Sequence, residues 1–360
     1  MSETALVPAL SRLGWGPELE HEFTQHAASG LVPGRVAVQH RGAYDVLTEL
    51  GEARSGLPGR MLHDAGDAAE LPAVGDWVAV DPPAGGASTI RAVLPRRTAF
   101  VRTVASDQHR VSEQQVVAAN VDVVFLVSAL AEDYNLRRLE RYLVLAWESG
   151  AQPVVVLTKA DLCADVDGAL GEVESVAVGV PVHAVSNVTG EGIDGLRPYF
   201  AGHRTVAALG SSGVGKSTLI NSLSGEEVAA TGEIRTDGRG RHTTTRRELL
   251  FVPGGGLFLD TPGMRELQLS ETSAGVEEAF DDVASLFALC RFSDCAHESE
   301  PGCAVKQALR DGTLDPERWD SYCKLQRELR ALELKLDARA KSEERKKWRK
   351  WERARRRDAW

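Results

Sequence analysis

The feature that most constrains this chain is a glycine-rich segment, GSSGVGKS, which runs from Gly210 to Ser217. It fits the pattern GxxxxGK[ST] and lies between an apolar run, RTVAALG, and STLINSL, which is typical of a helix. In such a phosphate loop the glycines let backbone N–H groups converge on a phosphate at a helix N-terminus. The segment therefore predicts a nucleotide-binding α/β domain, with Lys216 at the β- and γ-phosphates and the Ser217 hydroxyl on Mg²⁺. The predicted nucleotide contacts are Gly210, Ser211, Ser212, Gly213, Val214, Gly215, Lys216, Ser217 and Thr218.

A second motif, TKAD, runs from Thr158 to Asp161 and indicates which base is bound. It ends an apolar run, so we expect it at the carboxyl edge of a parallel sheet, where ligands bind. Asp161 can accept hydrogen bonds from both guanine N1–H and the exocyclic amine, whereas adenine offers no matching pair of donors. The stem of Lys159 is expected to pack over the base. The most common form of the motif has Asn where Thr158 stands, and we expect this departure to loosen the link to the phosphate loop.

A third segment, SNVTG, begins at Ser186 after the next apolar run. We predict that this loop supports the base through its backbone. Asn187 stands at a position where Ala is more usual.

The segment DTPG, from Asp260 to Gly263, fits the switch pattern DxxG. Asp260 is predicted to hold Mg²⁺ through water, and the Gly263 N–H to contact the γ-phosphate. Between the phosphate loop and DTPG lies RHTTT, in which one threonine is expected to close over Mg²⁺ and the γ-phosphate. We assign this role to Thr244, with Thr243 and Thr245 as the alternatives.

The residue after Gly263 is Met264, where signalling GTPases have a Gln that orients the attacking water. A thioether cannot do this, so another group must. His242 is the candidate catalytic residue because an imidazole can hold a water. The alternatives are that His242 contacts RNA or has no such role, and that the surface of a partner completes the site. Dependence on His242 and dependence on a partner both predict slow hydrolysis by the isolated protein.

A cluster of soft ligands follows the switch motifs. Cys290, Cys295, His297 and Cys303 supply three thiolates and one imidazole within 14 residues. This is the closed tetrahedral set of a structural zinc site, and it leaves no open position for a catalytic water. The chain has five cysteines and no evident secretion signal, which argues against a disulfide framework.

The pattern along the chain suggests several domains. Residues 31–106 contain short runs of alternating apolar and polar side chains between Gly/Pro-rich turns, which predicts a small barrel, either an OB fold or another barrel of that size. Residues 111–282 alternate apolar runs with helical patterns, which predicts a mostly parallel sheet covered by helices on both faces. We also predict an N-terminal extension (1–30), a helical zinc-binding domain (283–340) and a basic tail (341–360).

Two helices can be placed from their ends. The segment from Asn135 to Gly150 has the apolar spacing of an amphipathic helix that the glycine closes. A second helix is expected to follow Asp315 as its cap and Pro316 in its first turn.

The net charge of −10 is unevenly distributed, because residues 335–360 carry +7 and the remainder −17. This asymmetry predicts a basic arm that binds a polyanion, the alternative being a solvated helical tail. No stretch has the 18 or so apolar residues that a membrane span needs, so no membrane partner is expected. The N-terminus does not look like a signal peptide, and we expect a cytoplasmic monomer.

The order of the motifs is rotated: TKAD and the Ser186 loop precede the phosphate loop, RHTTT and DTPG, whereas conventional GTPases place the phosphate loop first. With a barrel before this core and CRFSDCAHESEPGCAVKQAL after it, the chain resembles the circularly permuted, ribosome small-subunit-dependent GTPase A family (RsgA, also called YjeQ). The resemblance covers about residues 31–330. It implies a multidomain fold: an N-terminal OB-type β-barrel, a central α/β circularly permuted P-loop GTPase and a C-terminal helical zinc-binding domain.

The resemblance also implies a function. A member of this family would bind the small ribosomal subunit and its rRNA, hydrolyse GTP to GDP at a rate that the subunit stimulates, and assist late maturation of the subunit. The barrel and the basic tail would contact RNA. The alternatives are a permuted GTPase of the large subunit, an ATP-dependent enzyme, and an RNA-binding assembly checkpoint in which hydrolysis only resets binding.

Overall fold

The computed structural model describes residues 9–65, 67–104, 113–131, 134–225, 248–260, 264, 267, 274–298 and 300–332. These residues belong to two compact units, one made of residues up to 267 and the other of residues 274–332. Within the described part of the chain, no helix is long and apolar enough to cross a membrane.

The strands all belong to the first unit. They are β1 (Val32–His40), β2 (Ala43–Thr48), β3 (Gly51–Gly56), β4 (Trp77–Val80), β5 (Ala87–Val93), β6 (Ala99–Val104), β7 (Glu113–Ala119), β8 (Val123–Ala129), β9 (Gln152–Thr158), β10 (Val182–Ala184), β11 (Thr205–Leu209), β12 (Glu248–Phe251) and β13 (Leu257–Asp260). The helices of this unit are α1 (Pro17–Ala28), α2 (Gly59–Asp64), α3 (Leu136–Ser149), α4 (Val166–Val176) and α5 (Lys216–Ser224). The second unit contains α6 (Ala274–Ala279), α7 (Asp281–Phe287), α8 (Ala304–Asp311) and α9 (316–332).

The first five strands form a closed barrel. β1, β2 and β3 pair antiparallel in succession, β3 pairs parallel with β5, and β5 pairs antiparallel with β4. β4 returns to β1 and closes the barrel. Its interior is packed by apolar side chains, among them Val36, Val46, Val78 and Ile90. A five-stranded barrel of this kind is the OB fold, so the OB-type barrel implied for the N-terminal region is confirmed.

The barrel strands belong to an eleven-stranded sheet, whose other six strands have the order β10–β9–β8–β11–β13–β12. β10, β9, β8, β11 and β13 pair parallel with one another in that order, and β12 pairs antiparallel with β13. β8 is buried along its whole length, as expected for a strand covered on both faces. The predicted mostly parallel sheet is therefore present, and it places the ends of β9, β11 and β13 at one edge.

The predicted helix after Asn135 is α3. The Asn135 side chain accepts a hydrogen bond from the Arg138 N–H, and Gly150 ends the helix in a left-handed conformation. Both helix ends thus follow from local chemistry.

The barrel and the parallel sheet are joined by backbone pairing, because β1 pairs antiparallel with β12 at Val38 and Glu248. β6 and β7, which lie between the barrel strands and β8 in the sequence, form a separate two-stranded sheet.

The second unit is helical, as the resemblance implied. Asp315 accepts a hydrogen bond from the Glu317 N–H at 2.8 Å, and α9 begins at Pro316. Leu325 and Leu329 of this helix are buried. Aromatic rings pack around the cysteine-rich loop, with Phe287 stacked on the His297 ring at a centroid distance of 4.5 Å.

Candidate nucleotide-binding site and metal centre

The phosphate loop connects the carboxyl end of β11 to the N-terminus of α5. Glycine is required at Gly210, where a Cβ atom would lie 2.3 Å from the Val127 carbonyl oxygen. Gly213 and Gly215 have φ values of 83° and 93°, in the left-handed region. The N-cap residue of α5 is Gly215, which has no side chain to cap the helix. The first backbone N–H groups of a helix have no partner within the helix, so this end of α5 can bind a phosphate.

Two cationic side chains contact the carbonyl and hydroxyl groups of this loop. The Lys216 ammonium donates hydrogen bonds to the carbonyl oxygens of Gly210 and Ser211, the first at 2.7 Å. Arg138 of α3 donates to the Ser211 hydroxyl at 2.7 Å, and the Tyr142 hydroxyl lies 3.4 Å from the same oxygen. The contact with α3 was not predicted, because arginines on an amphipathic helix ordinarily indicate a solvated face.

Thr158 lies at the end of β9 and is fully buried. Its hydroxyl donates a hydrogen bond to the Val214 carbonyl oxygen at 2.5 Å. The hydroxyl thus makes a direct link to the phosphate loop, although the sequence suggested a looser one. The TKAD segment and the phosphate loop therefore meet in a single site.

The carboxylate of Asp161 is held by the neighbouring loop. The Ser186 hydroxyl donates to Asp161 Oδ1 at 2.6 Å and accepts hydrogen bonds from the Val188 and Thr189 N–H groups. Lys159 adopts a left-handed conformation, with φ of 58°, between the strand end and the acidic residue. Ser186 therefore positions Asp161 through its side chain, where only a backbone role was predicted for its loop.

Asn187 connects this loop to the phosphate loop. Its Nδ2 donates to the Gly215 carbonyl oxygen at 3.3 Å. Its Oδ1 is buried and has no hydrogen-bond partner among the described residues. The sequence marked Asn187 as a departure but did not indicate this contact.

Two predicted Mg²⁺ contacts lie in the described part of the chain. Asp260 ends β13, which is parallel to the strand that leads into the phosphate loop, and Ser217 lies in the first turn of α5. Carboxylate and hydroxyl oxygens are ligands that Mg²⁺ prefers, so this donor set fits the ion. The remaining predicted residues, His242, Thr244 and Gly263, lie outside the described residues, as do the alternatives Thr243 and Thr245. Met264 is described, and its side chain is buried.

The second unit brings the four predicted zinc ligands together. The ligand atoms of Cys290, Cys295, His297 and Cys303 all lie within 4.8 Å of one another. His297 Nδ1 is 3.6 Å from the Cys290 sulfur and 3.5 Å from the Cys303 sulfur. With bonds of about 2.3 Å to sulfur and about 2.0 Å to nitrogen, a tetrahedral zinc ion separates such a pair by about 3.5 Å. The cluster is therefore compatible with zinc.

The surroundings shift the pKa values of these ligands in different directions. Desolvation opposes ionisation of Cys290, but N–H groups at the start of α8, including that of Ala304 at 3.4 Å, hydrogen-bond to its sulfur and lower its pKa overall. Partial desolvation, together with the nearby sulfurs of Cys303 and Cys290, raises the pKa of Cys295 to about 11. Burial lowers the pKa of His297, which favours the neutral imidazole. A divalent cation would relieve the mutual repulsion of three thiolates.

The chain matches known proteins over nearly its whole length. Residues 93–270 match the family profile described as RsgA GTPase. A relative from Opitutus terrae, named Small ribosomal subunit biogenesis GTPase RsgA, is 49% identical, with 95% of each chain covered. One of the same name from Streptomyces coelicolor is 48% identical, with 95% of this chain and 92% of the relative covered.

Solved structures show the same fold. YjeQ from Thermotoga maritima is 29% identical and superposes with a TM-score of 0.63, covering 83% of this chain and 98% of that protein. YloQ, described as a circularly permuted GTPase, superposes with a TM-score of 0.58 at 24% identity, covering 84% of this chain and 96% of that protein. These similarities agree with the rotated motif order and with the geometry of the site. The chain belongs to the RsgA family of circularly permuted GTPases.

Proposed function

We propose that this protein binds and hydrolyses GTP and that it acts in the late maturation of the small ribosomal subunit. The observation that carries the proposal is the direct contact between the guanine-recognition segment and the phosphate loop, made by the Thr158 hydroxyl and the Val214 carbonyl. A base and its phosphates can therefore be held in one site. Relatives named Small ribosomal subunit biogenesis GTPase RsgA support the biological role.

Each predicted residue has a role in this proposal. The N–H groups of residues 210–218 and the Lys216 ammonium bind the phosphates. Asp161 pairs with guanine N1–H and the exocyclic amine, while Lys159 packs on the base. Ser217, Thr244 and Asp260 would hold Mg²⁺, Asp260 through water, and the Gly263 N–H would contact the γ-phosphate. When bound, Mg²⁺ would neutralise charge on the phosphate oxygens.

The position of the attacking water is the least conventional part of the site. Met264 occupies the position of the usual Gln, and its buried thioether cannot orient water. We assign this task to His242, whose imidazole can accept a proton or hold a water. The isolated protein should then hydrolyse GTP slowly, and the small subunit would complete the site.

The proposal also covers the metal site, the domain bounds and the RNA contacts. Cys290, Cys295, His297 and Cys303 would hold one structural zinc ion, since four protein ligands leave no open position. The domains would be an OB barrel at 31–106, a GTPase core at 111–282 and a zinc domain at 283–340, flanked by residues 1–30 and a basic tail at 341–360. The barrel and the tail would contact rRNA, and the protein would act as a cytoplasmic monomer.

The test is GTP hydrolysis with and without purified small ribosomal subunits. We expect subunits to raise the rate strongly, Lys216→Ala to abolish hydrolysis, and His242→Ala to lower the stimulated rate while leaving GTP binding intact. Lys324→Ala, an exposed substitution in α9, is the matched control and should behave as the parent protein. No stimulation by small subunits, or equal stimulation by large subunits, would contradict the proposal.

The closed barrel also favours a second candidate, an RNA-binding assembly checkpoint in which hydrolysis only resets binding. The two candidates differ in what Lys216→Ala does in cells that lack the parent gene. Normal maturation of small subunits with this variant would favour the checkpoint, because nucleotide binding would then be dispensable for the main role.

A further inference from the structure

The two loops beside the guanine position each depart from the usual GTPase pattern. Thr158 stands where the common motif has Asn, and Asn187 stands where Ala is more usual. Considered one at a time, these are unrelated changes. Considered together, they place a side-chain carboxamide on the second loop, whereas the usual pattern has it on the first.

The structure places both side chains against the same point of the phosphate loop. Thr158 Oγ1 donates to the Val214 carbonyl at 2.5 Å, and Asn187 Nδ2 donates to the adjacent Gly215 carbonyl at 3.3 Å. A Cβ atom on Gly215 would lie 3.0 Å from Asn187 Nδ2 and 3.7 Å from Thr158 Oγ1. The carboxamide of Asn187 thus lies next to the place that the Thr158 side chain occupies.

The two side chains differ in how many donors they have. A threonine hydroxyl has one proton, and Thr158 gives it to the phosphate loop, so it has no proton left for a base. The Asn187 amide has two N–H bonds, of which Gly215 takes one. Its Oδ1 is buried without a partner among the described residues. Guanine N7 and O6 are acceptors and cannot pair with this oxygen, but among the described residues the amide nitrogen makes only the bond to Gly215, so its other N–H can serve an acceptor on a bound base.

The base edge that Asn187 would contact follows from Asp161. Ser186, the residue before Asn187, fixes the Asp161 carboxylate at 2.6 Å, and that carboxylate pairs with guanine N1–H and the exocyclic amine. The remaining polar edge of guanine presents two acceptors, N7 and O6, which need a donor. We propose that Asn187 donates its second N–H to guanine N7, replacing the Asn that is missing at position 158. This inference rests on the proposed binding of GTP.

The test compares GTP with 7-deaza-GTP, in which N7 is replaced by a C–H group that cannot accept a hydrogen bond. Each nucleotide competes with a fluorescent GDP analogue for the full-length protein. We expect the parent protein to bind 7-deaza-GTP about five to ten times more weakly than GTP, since one hydrogen bond is lost. Asn187→Ala should weaken GTP binding by a similar factor and bind both nucleotides equally.

A rescue experiment separates base recognition from a general disturbance of the loop. The double variant Thr158→Asn/Asn187→Ala restores the usual pair, and it should regain both GTP affinity and the preference over 7-deaza-GTP. Val178→Ala changes a residue that is 65% exposed and lies outside both loops, and it should keep the parent preference. Circular dichroism checks that each variant is folded.

The outcomes also distinguish this inference from the proposed function. If the parent protein binds GTP but does not discriminate against 7-deaza-GTP, or if Asn187→Ala still discriminates, the inference is wrong and GTP binding stands. If GTP does not compete with the fluorescent analogue, the proposed function itself fails.

Discussion

Arg35 Nη2 donates a hydrogen bond to the Thr205 hydroxyl at 2.8 Å, which joins the first strand of the barrel to the strand that leads into the phosphate loop. Arg35 is fully buried within the first unit, and it also donates to the carbonyl oxygens of Leu13, Gly75 and Asn120. Desolvation by burial lowers its pKa to about 10, so the guanidinium remains charged at neutral pH. One side chain thus connects β1 to four other segments of the first unit.

Arg35→Met should destabilise the first unit. The substitution roughly preserves side-chain volume but leaves several buried acceptors without a donor, each at a cost of about 1–3 kcal/mol. We expect the free energy of unfolding to fall by about 3 kcal/mol or more. Trp77, whose ring lies 5.3 Å from the guanidinium carbon, provides a local fluorescence signal during denaturant unfolding. The control is Arg91→Met, because Arg91 is an exposed barrel residue paired with Asp81, and an equal loss there would contradict the argument.

Thr158→Val should weaken nucleotide binding. Valine has nearly the same shape but cannot donate to the Val214 carbonyl, so the phosphate loop loses its link to the guanine segment. Loss of a buried hydrogen bond is worth about 1 kcal/mol, and we expect GDP to bind about five to ten times more weakly by calorimetry. Thr158→Ser keeps the hydroxyl and should bind GDP nearly as the parent does. Equal affinity of the valine variant and the parent would show that the link is unimportant.

Cys290→Ala should abolish metal binding. The sulfur is one of the four clustered ligand atoms, and three ligands bind zinc far less tightly than four. The parent should contain one zinc ion per chain by elemental analysis, and the second unit should melt at a lower temperature in the variant or after chelation. Cys323→Ala removes a cysteine outside the cluster and should leave the zinc content unchanged. The assignment would be overturned if the parent protein contained no zinc and if neither chelation nor Cys290→Ala changed its melting temperature.

The pH dependence of stability should involve His183. Its Nε2 is 2.8 Å from the Tyr199 hydroxyl, and burial lowers its pKa below the ordinary 6.5. The folded state therefore takes up a proton less readily than the unfolded state. Its contribution to stability is complete above pH 6.5 and is lost as the pH falls from 6.5 through the lower folded-state pKa.

His183→Gln tests this directly, because glutamine can still contact Tyr199 but does not titrate. Melting temperatures measured between about pH 7.5 and pH 5.5 should fall less steeply for the variant than for the parent protein. Parallel curves would mean that His183 is not a source of the acid sensitivity.

Several features followed from the sequence because their chemistry is local. The phosphate loop is contiguous, and its glycines, lysine and serine must occur at set spacings for backbone N–H groups to meet a phosphate. The four zinc ligands lie within 14 residues, so chain connectivity alone keeps them close. The ends of α3 at Asn135 and Gly150 are likewise set by neighbouring residues. The switch residues His242, Thr244 and Gly263 remain predictions.

Other features needed the tertiary structure, because they join residues far apart in the chain. The sequence of β3 does not alternate between large apolar and polar residues, because the buried positions are occupied by the small Ala53 and Ser55. Nothing local indicates that Arg35 will bind Thr205, 170 residues later. The sequence by itself determined the motif order, and it predicted the nucleotide contacts and the zinc ligands. Only the folded chain determined that Thr158 and Asn187 contact adjacent carbonyls of one loop, because a hydrogen bond between distant segments depends on how the strands are ordered in the sheet.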